Sequence, residues 1–229
     1  MKPVYAQGNV RAHCPDCRGA VTTFEFREAQ REFGSVFVNA SHQHAGRAYS
    51  RVLYILMRCA GCHRGGLAKI HDNGQVVEGA LEVFYPISVE NVGIPNSVPA
   101  GMRAEFREAE LCAASGAWRG ASALLRSTLE KVLKANGYVK GSLESKIDEA
   151  AADGVITDAR RKRAHDDIRV LGNDVLHDEW RQVKEEEVTA AHQYAQRILE
   201  DFYDDRASVE AILVAKKRIQ APAPPAGTP

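Results

Sequence analysis

The apolar and polar positions follow two different patterns along the chain. In the first part they alternate over short stretches: Val21-Thr22-Thr23-Phe24-Glu25-Phe26 changes side at nearly every residue, which is the period of a strand. Val52 to Met57 is a continuous apolar run of strand length, the mark of a buried strand, and Leu67 to His71 and Leu81 to Tyr85 give two more short strands. From Met102 the period becomes helical. Leu124, Leu125, Leu129, Val132 and Leu133 fall on one stripe, as they do when a helix lays one face on a core. Breaks at Gly116, Asn136-Gly137 and Gly154 predict helices over roughly 103–115, 117–135, 143–152, 157–177 and 185–204, with a last one to Lys217. Ser142 and Thr157 stand where the third and fourth need N-caps.

Between the two patterns lie Pro86, Pro95 and Pro99, in a stretch with no helical period that reads as a connector. Ala221-Pro222-Ala223-Pro224-Pro225 is too poor in large apolar residues to build a core. The expected layout is therefore α+β: a small β-rich domain over 1–86, a linker over 87–101, an all-α bundle over 102–218 and a disordered Ala/Pro tail over 219–229.

With 229 residues, 45% of them hydrophobic, the chain can bury two small cores. Thirty Lys and Arg balance thirty Asp and Glu, so no long-range field draws it to a polyanion, and any such contact needs a local patch. No apolar run reaches the roughly 18 residues of a membrane span. The opening Met1-Lys2-Pro3-Val4-Tyr5 lacks the apolar stretch of a signal peptide, so a cytoplasmic protein with no membrane partner is expected.

In a cytoplasmic chain the five cysteines point to metal or buried thiols before disulfides. Four of them form two C-x-x-C knuckles, Cys14-Pro15-Asp16-Cys17 and Cys59-Ala60-Gly61-Cys62, each able to turn both sulfurs toward one ion. Strands between the knuckles make this the pattern of a zinc ribbon. The competing reading, separate redox or buried thiol pairs, suits a strand-to-helix junction, whereas Pro15-Asp16 precedes strands. His13 and His63 flank the cysteines and could replace one, but four thiolates already fill the site, so both are read as surface residues. A filled site leaves no position for a reactive water, so the zinc is expected to be structural. Cys112, beside Leu111 and Ala113, reads as a core thiol.

In the helical half Arg169, Asn173 and His177 stand four residues apart, so on one helix they form a slanted stripe. The outer pair is about 80° and about 12 Å apart, too far to hold one phosphate within a subunit. Arg126 and Glu130 lie one turn apart beside the Leu125 stripe. They read either as an ordinary surface ion pair or as braces for the Arg169 stripe from a neighbouring helix. The stripe also has a purely structural reading. Arg169 would cap carbonyls, Asn173 would bind backbone after Gly172, and His177 would pair with Asp174 or Asp178.

Glu108-Ala109-Glu110, Leu125-Arg126-Ser127-Thr128-Leu129-Glu130, Ser142-Leu143 with Lys146-Ile147, and Ile168-Arg169-Val170-Leu171-Gly172-Asn173 with His177-Asp178 together resemble the domain of unknown function 4145 over about residues 100–204. That family is related to the HEPN helical domains, many of them metal-independent ribonucleases or inactive RNA-binding relatives in phage-defence and toxin systems. The resemblance implies a HEPN-like bundle, a homodimer, RNA as a ligand, and a protein partner from a defence or restriction system. It implies catalytic roles for Arg169, Asn173 and His177, supported by Arg126 and Glu130. The family's arginine and histidine are separated by four to six residues; here seven separate Arg169 from His177. Arg160 to His165 matches the spacing literally but lacks the apolar flanks of Ile168, Val170, Leu171 and Val175. Two functions follow: a metal-independent endoribonuclease with its site at the dimer interface, or a non-catalytic zinc-ribbon module that binds RNA or protein.

Overall fold

The computed structural model describes residues 2–26, 36–40, 51–72, 80–167 and 182–220. The chain is mixed α+β and divides between Asn91 and Val92 into two compact units.

The first unit is one antiparallel sheet. Its strands are β1 (Val4–Ala6), β2 (Asn9–His13), β3 (Val21–Glu25), β4 (Val36–Ala40), β5 (Arg51–Cys59), β6 (Gly65–Asp72) and β7 (Ala80–Tyr85). The path is β1-β2-β3-β5-β6-β7, with β4 also on β5. The long β5 serves three neighbours: Arg51 to Ile55 pair with β4, Arg58 and Cys59 pair with β3, and the opposite edge carries β6 from Arg51 to Arg58. Ala6-Gln7-Gly8-Asn9 makes the first hairpin, with Gln7 at φ 50° and Gly8 at φ 79°, the paired left-handed turn that suits strand twist.

The apolar run in β5 is buried on one face only, contrary to the expectation from its continuity. Leu53, Ile55, Met57 and Cys59 point inward while Leu56 is exposed, because one core lies against one side of the strand. Val10, Ala12, Phe24, Ala68, Ile70 and Phe84 complete that core, with the Phe24 and Phe84 rings edge-on at 4.8 Å. Gly66 lets the two rings close. A Cβ there would stand 3.1 Å from each ring and 3.0 Å from the Tyr85 carbonyl.

The second unit holds six described helices: α1 (Ala100–Ala114), α2 (Trp118–Ala135), α3 (Leu143–Ala152), α4 (Asp158–Asp167), α5 (Glu185–Tyr203) and α6 (Arg206–Ala215). The α2 stripe packs as its spacing predicts, with Leu125, Leu129, Val132 and Leu133 buried and Leu124 at the margin. Ser142 caps α3 by accepting from the Ser145 amide at 3.2 Å, and Thr157 accepts from the Arg160 amide at 3.3 Å. Beyond Asp167 the expected fourth helix runs outside the described residues, as does the tail from Ala221. The connector has no regular structure through Pro99, yet its second half belongs to the helices: Val98 is buried, Val92 and Ile94 pack on the helical core, and Arg103 donates to the Pro95, Asn96 and Val98 carbonyls.

Candidate metal centre

Two hairpins deliver four sulfurs to one point. The first knuckle joins β2 to β3, the second joins β5 to β6, and β3 pairs with β5 through Phe24 and Cys59, which sets the knuckles side by side. All four cysteines are free thiols, and their sulfurs lie within 4.8 Å of one another. Cys14 and Cys62 stand 3.5 Å apart, Cys17 and Cys59 3.8 Å apart, so the close approaches run between knuckles. These four residues could hold a metal ion.

The backbone makes the cluster. In the first knuckle the Cys17 and Gly19 amides donate to the Cys14 carbonyl at 3.1 and 3.0 Å; in the second the His63 amide donates to the Cys59 carbonyl at 3.0 Å. Each loop closes through left-handed residues directly after its second cysteine, Arg18 at φ 56° with Gly19 at 76°, and His63 at 67°. Gly61 gives the sulfurs room, since a Cβ there would lie 3.2 Å from Cys17 Sγ. Arg64 and Asp16 form an ion pair from one knuckle loop to the other. Cys14 and Cys59 belong to the sheet's apolar core, whereas Cys62 is exposed.

The thiols are electrostatically unequal. Burial raises Cys14, and the neighbouring Cys62 and Cys59 thiols add to the rise against the Cys17 and Asp16 amides. The Cys62 thiol, with burial, pushes Cys17 up to about 12. At Cys59 burial acts upward too, but the Thr22 hydroxyl at 3.3 Å and the Cys62 and Gly61 amides outweigh it and bring the thiol to about 6. One thiolate forms readily there. Ionising all four within so small a volume requires a cation among them.

His13 departs from its expected surface position. It is buried, and its Nδ1 donates to the Gly19 carbonyl at 2.6 Å, so it braces the first knuckle from behind. His63 is exposed. Cys112 is half-buried against the helical core.

Arg169, Asn173 and His177 lie outside the described residues. Their two suggested supports are placed. Arg126 is half-buried on α2, and Glu130 receives Lys146 at 2.6 Å and Lys134 at 3.4 Å, which ties α3 to α2. Arg160 is engaged in packing α4 on α5: it meets Asp201 Oδ2 at 2.5 Å and donates to the Arg197 carbonyl at 2.7 Å.

Sequence reasoning missed a buried polar cluster around Glu110. This carboxylate accepts from the Val92 amide at 3.0 Å and from Arg107 at 2.7 Å, and His192 Nε2 stands 3.2 Å away with its ring stacked on Phe106 at 5.0 Å. The local signal was the i,i+3 spacing of Arg107 and Glu110; the partner His192 comes from α5, which no local pattern reveals.

The fold and the site define a two-unit chain: a sheet closed at one end by four cysteines, then a helical unit. The model of a domain of unknown function, DUF4145, matches residues 107–221, half of the chain and most of the helical unit. The chain belongs to the DUF4145 family. No curated protein and no solved structure matches it.

Proposed function

We propose that this protein is a zinc-stabilised binding module, with RNA as the ligand of its HEPN-like helical part, acting as a component of a phage-defence, toxin or restriction-associated system. The observation that carries the zinc reading is the cluster of four sulfurs within 4.8 Å. A tetrahedron with Zn–S bonds of about 2.3 Å has S···S edges of about 3.8 Å, and the Cys14–Cys62 and Cys17–Cys59 separations of 3.5 and 3.8 Å fit it. Cys14, Cys17, Cys59 and Cys62 complete the coordination, so the ion holds the sheet and takes no substrate. The resemblance of the helical segments to HEPN domains supports the RNA ligand and the homodimer. Elemental analysis of purified protein should return one zinc per chain; less than half an equivalent, or a disulfide within either knuckle, would sink the zinc reading. RNA that fails to shift zinc-loaded protein at low salt would remove the ligand.

A second reading, a metal-independent endoribonuclease, is favoured by the position of Arg169, Asn173 and His177 inside the matched span. Two antiparallel subunits would bring Arg169 of one chain toward His177 of the other. His177 would take the proton from an RNA 2′-hydroxyl or protonate the leaving 5′-oxygen, and Arg169 would stabilise the charge gathering on the phosphate. Asn173 would orient the phosphate or the imidazole, and the products would be a 2′,3′-cyclic phosphate and a 5′-hydroxyl. In EDTA, His177→Ala should abolish cleavage with stability within about 1 kcal/mol of wild type, and His165→Ala should change neither. A His177→Ala loss of several kcal/mol would mark the stripe as structural.

A further inference from the structure

The last residues of the sheet unit are seated on the first cysteine knuckle. Ser88 Oγ accepts from the His13 amide at 2.9 Å, one residue before Cys14. Gly19 closes the same loop at φ 76°, and Asn91 lies against it: a Cβ on Gly19 would stand 3.0 Å from Asn91 Nδ2. The loop between these contacts is the one whose sulfurs, Cys14 and Cys17, belong to the metal cluster.

The next residue is already held by the helices. The Val92 amide donates to Glu110 Oε1 at 3.0 Å, Arg107 Nη2 donates to the Val92 carbonyl at 2.8 Å, and Gln196 Nε2 donates to the Gly93 carbonyl at 3.0 Å. Asn91 rests on the knuckle and Val92 rests on α1.

We propose that the outgoing segment Ser88–Asn91 and the metal site stabilise each other, so that ion occupancy sets how firmly this segment is seated on the first knuckle. This rests on the zinc reading above. An ion bound by Cys14 and Cys17 fixes the loop that presents the His13 amide and the Gly19 surface, and the segment seats on that loop. When the ion leaves, the loop loses its restraint and the seat is lost with it. Coupling of this kind is reciprocal: unseating the segment must weaken the ion by the same factor.

Reciprocity supplies the test, in the 229-residue chain. Ser88→Ala removes the acceptor for the His13 amide, and Asn91→Ala removes the amide over Gly19, and neither touches a sulfur. Zinc affinity, read by competition with a chelator, should fall about fivefold to tenfold in Ser88→Ala, the ratio supplied by one ordinary hydrogen bond. Amide exchange over residues 88–91 should rise by a similar factor. Ser88→Thr keeps the hydroxyl and should restore both. Ser97→Ala, which removes a bond to the Tyr203 carbonyl within the helical unit, should leave zinc affinity unchanged. Faster exchange in Ser88→Ala and Asn91→Ala with unaltered zinc affinity would overturn the coupling. Wild-type protein that binds no zinc would instead overturn the metal reading, so the two failures are distinct.

Discussion

Lys146→Met tests how the helical unit is held. Lys146 sits on α3 with its side chain 4% exposed, and its Nζ lies 2.6 Å from Glu130 Oε2 on α2. Glu130 is 20% exposed and has a looser second partner in Lys134 at 3.4 Å. Removing one member of a buried ion pair costs about 3–5 kcal/mol when the other is left alone. Here Glu130 keeps Lys134 and some water, and methionine refills the space of the lysine stem, so about 2 kcal/mol is expected. The dependence on pH has a definite sign. Burial acts upward on the Glu130 carboxyl, but Lys146 and then Lys134 outweigh it and hold it below its ordinary value. A folded value below the unfolded one means the pair's stabilisation is complete above the unfolded value, about 4.3, and is lost as pH falls through the folded one. Urea unfolding followed by far-UV circular dichroism should therefore show the full gap at neutral pH and a closing gap in acid. A double-mutant cycle with Glu130→Gln should return a coupling of at least about 1 kcal/mol. Lys146→Met as stable as wild type at neutral pH, or a gap independent of pH, would refute this account of the pair.

Cys59→Ser should unfold the sheet unit while the helical signal persists, since each unit has its own apolar cluster; differential scanning calorimetry should show one of two transitions lost, and loss of both would refute their independence. Gly137→Ala should destabilise the helical unit by more than about 3 kcal/mol, because Gly137 sits at φ 90° and a Cβ would stand 2.3 Å from the Arg218 carbonyl; a melting temperature within a degree or two of wild type would contradict it. Sedimentation should give a homodimer at micromolar concentration, and a monomer would remove the proposed composite Arg169–His177 site.

What could be read from the sequence was what local pattern controls. Four cysteines at C-x-x-C spacing picked out the sulfur cluster, because a knuckle is a property of four consecutive residues. The helices followed from the Leu125 stripe and the Ser142 cap for the same reason. Strands β1, β2 and β4 went unread: β1 is three residues long, and Gln7-Gly8 is a weaker turn signal than Asn-Gly. The one-sided burial of β5 was hidden because Val52 to Met57 is apolar at every position, and the side that faces the core is set by neighbouring strands. His13 and Glu110 were missed for a related reason. Their partners are a loop carbonyl at Gly19 and a ring on α5, and both depend on tertiary approach.

The pairing of sulfurs across knuckles has a consequence for the unfolded chain. A metal ion bound by Cys17 and Cys59 would tie together residues 42 positions apart, as a covalent crosslink does, for as long as it stayed bound in the unfolded chain. By the chain-entropy relation used for crosslinks, closing a loop of that length removes about 4 kcal/mol of disorder from the denatured ensemble. Because the cost of closure grows only with the logarithm of loop length, doubling the stretch would change it by about 0.6 kcal/mol. Under the zinc reading, the stretch between the knuckles could therefore lengthen or shorten at little cost to the clasp.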